Sequence, residues 1–98
     1  MLERLASIER RYDEIEGSLA DPEVSADYSR VQKLAKELAS LKGLASLAQQ
    51  YRTVTNDLAE TQALARNGSD SDLAALARDE LVQLEELKEG IEAELRLA

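Results

Sequence analysis

Ninety-eight residues carrying a formal net charge of −8 fit one small domain, enough chain for a core and too little for a deep pocket. The chain has no cysteine and no histidine, which excludes disulfides and thiolate metal sites and removes the commonest metal ligand and general base. Its only aromatics are Tyr12, Tyr28 and Tyr51, so a core must come from Leu, Ala, Ile and Val, as in helix-on-helix packing.

The first element spans about residues 2–20. Leu2, Leu5, Ile8, Tyr12, Ile15 and Leu19 follow a three-and-four rhythm, the stripe of a coiled-coil helix with Glu and Arg on its other faces. Gly17 lies inside the pattern at a cost of about 1 kcal/mol relative to Ala. Asp21-Pro22 should end the helix, because the residue before a proline disfavours helical geometry and the proline lacks a donor. Residues 21–26 then read as a connection.

A long helix over 27–65 is expected to organise the chain, about 58 Å at 1.5 Å per residue. Asp27 is its expected N-cap, with a competing capping box at Ser29 and Gln32. Val31, Leu34, Leu38 and Leu41 form one stripe; Leu44, Leu47, Tyr51, Val54, Leu58, Thr61 and Ala65 form another. Steps of three residues from Leu38 to Leu47 shift the phase around Lys42-Gly43. The first half should therefore pack on the first helix and the second half on the last, with the helix unbroken or gently bent at Gly43 and a true break there as the alternative. If Leu41, Leu44 and Leu47 form the junction of the two faces, Leu44→Ala should cost about 2–5 kcal/mol.

Asn67-Gly68 suits a helix C-terminus and Asp70 an N-cap for the last helix, about 71–97. Its expected apolar face is Leu73, Leu76, Ala77, Leu81, Leu84, Leu87, Ile91, Leu95 and Ala98. The pattern reaches Ala98 without a Gly or Pro stop signal, so the natural chain is expected to continue. The fold class expected is all-α: a three-helix antiparallel bundle with coiled-coil character and a long central helix, forming one helical domain over 1–98.

Residues 70–98 carry nine acids and three bases, a net −6, whereas 27–65 carries five bases and four acids. Such a chain suits basic protein partners better than phosphate-driven nucleic-acid binding, and a solvated acidic face that keeps the domain soluble accounts for the charge at least as well. Glu85-Glu86, and Glu89 near Glu92, read as solvated charges on a helix face rather than as an acid–base pair. Asn67-Gly68-Ser69 matches the glycosylation sequon but reads as a turn. Arg10-Arg11 is too short for a nucleic-acid patch, and Tyr12 and Tyr51 lie on apolar stripes. No catalytic, cofactor-binding or metal-binding residue is assigned, and no residue is singled out as a partner contact. The start of the chain is unlike a signal peptide, and no apolar run approaches the roughly 20 residues of a membrane span. A cytoplasmic location is expected.

The landmarks Met1-Leu2-Glu3-Arg4-Leu5, Glu9-Arg10-Arg11-Tyr12-Asp13-Glu14-Ile15-Glu16 and Leu19-Ala20-Asp21-Pro22-Glu23-Val24 resemble the start of bacterial peptide chain release factors of the release factor 1 type. Ser25 to Asp27, Lys33-Leu34-Ala35-Lys36-Glu37-Leu38 and the segment from Asp70 to Leu81 fit as well. Tyr28 and Ser71 stand where the family often has a proline after the aspartate. The resemblance covers essentially the whole chain, and the turn Leu-x-Asp-Pro-Glu-Val is its most specific part. It implies the N-terminal helical domain of a factor directing translation termination at UAA and UAG. The codon-reading tripeptide and the Gly-Gly-Gln loop would lie in later domains, so no enzyme is expected in this stretch. The partner implied is the ribosome, at the stalk base near ribosomal protein L11, with a functional link to the class II GTP-binding release factor. A monomer without cofactor is expected.

Two other readings stand beside it. The stripes alone would serve a free-standing coiled-coil adaptor or structural protein. An RNA-binding helical arm, like the one that begins seryl-tRNA synthetase, would need a basic face that the charge of −8 opposes.

Overall fold

The structure, a computed structural model, describes residues 1–67 and 71–98. It is all-α, with α1 at Leu2–Ala20, α2 at Pro22–Ser25, α3 at Tyr28–Asn67 and α4 at Ser71–Leu97. The chain divides into two compact units, residues 1–48 and 49–98, and the long helix α3 contributes to both. Its first half belongs with α1 and α2 and its second half with α4, the division that the phase shift implies. Asn67 is the last residue of α3, and the expected caps at Gly68 and Asp70 lie outside the described residues.

In the first unit α1 buries Leu5, Ile8 and Ile15, with Tyr12 and Leu19 half-buried. Leu2, expected on the same stripe, is 65% exposed, because it stands in the first turn of the helix. Asp21 ends α1 in an extended conformation, φ −74° and ψ 124°, the geometry imposed on a residue preceding proline. The connection is not a loop. Asp21 Oδ1 accepts a 2.9 Å hydrogen bond from the Glu23 N–H, and Pro22 takes the first helical position, where a missing donor costs nothing. The resulting single turn, α2, buries Val24.

Asp27 then caps α3 as expected, its Oδ1 accepting from the Arg30 N–H at 3.3 Å. Gln32 donates to the Tyr28 hydroxyl at 2.8 Å, so its amide serves a side chain of the first turn. Helix α3 runs unbroken through Gly43, and no described residue has a positive φ. Val31, Leu34, Leu38 and Leu41 are half-buried, and Ala45 and fully buried Ala48 continue their three-and-four rhythm. Leu44 and Leu47 open the second stripe beside it. The run of three-residue steps is thus two overlapping stripes, distinguishable only once the alanines are counted. Leu44 is half-buried, which lowers the expected cost of Leu44→Ala to about 1–2 kcal/mol.

In the second unit α3 buries Tyr51, Val54, Leu58 and Thr61. Helix α4 buries Ala74, Ala77, Ile91 and Leu95, with Leu81, Leu84 and Lys88 half-buried between them. These seven positions keep strict three-and-four spacing. Leu73, Leu76 and Leu87, expected on this face, are instead 59%, 64% and 55% exposed, and Ala98 is exposed too. The period decides the face. Leu81, Leu84, Ile91 and Leu95 fix a phase whose extension reaches Ala74 and Ala77 rather than the larger leucines beside them. Lys88 occupies a seam position, its long stem able to lie along apolar neighbours while the ammonium reaches water.

Candidate docking surfaces

Two side-chain interactions, one in each unit, tie a helix to α3. Arg11 of α1 forks onto Glu37 of α3, with Nε to Oε1 at 2.6 Å and Nη2 to Oε2 at 2.7 Å, and reaches Glu14 at 3.4 Å. The planar guanidinium matches both carboxylate oxygens, which fixes the register of the two helices. Hydrogen bonding to Arg11 lowers the Glu37 carboxyl below its ordinary value, and the same bond raises the guanidinium further. Half of the Arg10-Arg11 pair is therefore a structural clasp.

Tyr51 plays the matching role between α3 and α4. Its ring is buried, and its hydroxyl donates to Glu92 Oε2 at 3.3 Å. Burial raises the phenol above its ordinary value; the Glu92 charge adds to the rise and Lys88 opposes it. Tyr51 is core, as its stripe position implies, while Tyr12 is half-buried and Tyr28 is 75% exposed. Every buried side-chain nitrogen or oxygen among the described residues has a hydrogen-bond partner.

The acidic residues do not converge. Glu85, Glu86 and Glu89 are exposed along α4, while Glu92 receives the Tyr51 hydroxyl. Among the described residues no group of acids could hold a metal ion, and no helix is long and apolar enough to cross a membrane.

What the second unit offers is surface. A shallow groove of about 220 Å³ runs between α3 and α4, with Val54, Leu87 and Ile91 as its apolar part and Gln49, Gln50, Thr53 and Asp57 along α3. On the other flank Gln62, Ala65 and Arg66 of α3 share a second hollow with Leu81 of α4. The sequence assigned Leu73, Leu76 and Leu87 to the core and so missed them as surface. The signal that finds them is the uninterrupted spacing of Ala74, Ala77, Leu81, Leu84, Lys88, Ile91 and Leu95.

A family model described as the PCRF domain matches residues 8–98. The relative "Peptide chain release factor 1" of Acidobacterium capsulatum is 39% identical over 97 residues, covering 99% of this chain and 27% of its own length. Its namesake in Myxococcus xanthus is 38% identical, covering 99% of this chain and 26% of the relative. The one in Syntrophomonas wolfei is 35% identical, covering 99% of this chain and 27% of the relative. The chain thus spans about a quarter of the length of the curated relatives it matches. No solved structure matches it significantly. With the family model matched over all but its first seven residues, the chain belongs to the PCRF domain family.

Proposed function

We propose that this chain is the N-terminal helical domain of a release factor 1-type peptide chain release factor, a cytoplasmic protein directing translation termination at UAA and UAG. In this reading the domain docks on the ribosome at the stalk base, near ribosomal protein L11, and so affects how the class II GTP-binding factor meets the complex. Codon reading and peptidyl-tRNA hydrolysis belong to the rest of the factor, and this stretch acts as a monomeric module without cofactor or sequence-specific nucleic-acid binding. One observation carries the proposal: the alignment runs almost end to end with relatives named peptide chain release factor 1, inside a matched PCRF domain.

Two experiments test it. Reading the source gene past the codon for Ala98 should reveal a continuing frame with a Gly-Gly-Gln motif. The full-length protein should then release peptide from ribosomes halted at UAA or UAG and leave UGA complexes intact. A stop codon directly after Ala98 would transfer the chain to the alternative, a free-standing coiled-coil adaptor. Release at UGA in place of UAG would overturn the codon assignment alone.

A further inference from the structure

The flank of the α3–α4 pair that carries the groove is apolar and acidic along its length. Asp57 and Leu87 line the groove together, which places them on one side of the pair. Positions seven apart on a helix fall within about 20° of each other, so Leu64 continues the row from Asp57, and Leu73, Glu80 and Glu94 continue the row from Leu87. Leu64 is 59% exposed, Leu73 59% and Leu87 55%; Asp57, Glu80 and Glu94 are exposed as well. Leu73 and Leu87, fourteen residues apart, lie about 21 Å apart along α4, and Leu64 stands on α3.

No lysine or arginine falls in either row. Arg52 and Arg66 are themselves two heptads apart on α3, and Arg66 lines the hollow on the opposite flank. Arg78 lies seven before Glu85 and fourteen before Glu92, which receives the Tyr51 hydroxyl, and Lys88 sits in the seam. Charge is thus segregated: one flank has leucines and acids, and the bases stand elsewhere.

We propose that this flank is a docking surface for a basic amphipathic helix of a partner protein, its apolar residues meeting Leu64, Leu73 and Leu87 and its cations meeting Asp57, Glu80 and Glu94. The inference rests on the docking role proposed above for the setting in which such a partner is met. A groove between two helices accepts the ridge of a third, and apolar side chains two heptads apart match the separation of Leu73 and Leu87. Nucleic acid and anionic lipid are repelled by the carboxylates. A second copy applying the same flank would set acids against acids.

The test compares three variants of the protein, each checked for helicity by circular dichroism. They are Leu64→Ser with Leu87→Ser; Asp57→Asn with Glu80→Gln and Glu94→Gln; and, as a charge-matched control on other faces, Glu85→Gln with Glu86→Gln and Glu89→Gln. Two probes are used: a synthetic helical peptide with Leu at heptad positions flanked by Lys, read by fluorescence anisotropy, and purified bacterial 70S ribosomes, read by pelleting. The leucine variant and the first charge variant should each weaken peptide binding about tenfold or more at low salt, the control less than about twofold. If the leucine variant binds like the parent, or both charge variants weaken binding equally, the surface assignment is overturned. Should the leucine variant fail to fold, the comparison of the two charge variants decides alone. Leucine-dependent self-association in sedimentation, or binding to phosphatidylglycerol vesicles, would replace the basic helix as occupant and overturn the proposal. Peptide binding lost in the variants, with no ribosome binding by the parent, supports the surface and removes the ribosomal setting. Ribosome binding by the parent with unchanged peptide binding in all variants leaves the setting and removes the surface.

Discussion

Replacing Leu95 and Leu76 by alanine in separate variants tests the phase of α4 directly. Leu95 is 0% exposed, so its truncation removes a fully covered side chain and leaves a cavity, a loss of about 3 kcal/mol within the range of buried Leu→Ala changes. Leu76 is 64% exposed, leaving roughly a third of the residue covered. Scaling the 1.5–3 kcal/mol of full burial by that third gives about 0.5–1 kcal/mol, with no cavity term. Urea unfolding followed by helical circular dichroism separates the two. With a slope of about 1 kcal/mol per molar urea for a chain of this size, the midpoint should fall by about 3 M in one variant and by less than about 1 M in the other. Hydrophobicity alone would treat the two leucines alike. Equal midpoint losses, or a larger loss from Leu76→Ala, would refute the seam through Ala74, Ala77 and Leu95.

Three further outcomes follow from individual residues. Gly43 is helical and a Cβ built there meets nothing within 4 Å, so Gly43→Ala should stabilise by about 1 kcal/mol; a lowered melting temperature would show a requirement for glycine. The Tyr51 phenol is raised in the folded state, so its contribution is complete below the unfolded value near pH 10 and is lost as pH rises through the folded value. Tyr51→Phe should flatten the fall of the urea midpoint above about pH 10 relative to the parent, and parallel curves would contradict the assignment. The Glu37 carboxyl is lowered by Arg11, so its contribution is present above the unfolded value near pH 4.3 and disappears as pH falls through the folded value. Glu37→Gln should therefore lose less stability than the parent on acidification at low salt, and an unchanged acid limb would show that the clasp contributes nothing.

The parts of the fold legible in the sequence are those fixed by neighbours along the chain. Asp21 before Pro22 dictates an extended residue, and Asp27 offers a carboxylate at the start of a periodic run; both cap helices, and the signals lie within three residues of the bonds they form. The same signals, an aspartate followed by proline and glutamate, also encode α2, which is too short to show any period of its own. The clasp of Arg11 on Glu37 and the bond from Tyr51 to Glu92 span 26 and 41 residues. Their partners depend on the register of one helix against another, which no local pattern states.

The exposed leucine flank of α4 was the least legible feature, for a reason particular to leucine-rich helices. Where seam positions hold Ala74, Ala77 and Lys88, the larger apolar residues beside them attract the assignment of core, and the exposed flank vanishes from view. Fixing the phase from Leu81, Leu84, Ile91 and Leu95 restores it and also sorts the charges. Acidity averaged over 70–98 says only that a basic partner is favoured; once phased, Glu80 and Glu94 join Leu73 and Leu87 on one row while Arg78 falls on another. A seam built from alanine and lysine costs buried apolar area that leucine would have supplied. The leucines left outside then require a separate explanation, and an acidic apolar flank facing a basic helix supplies one that binding measurements can reject.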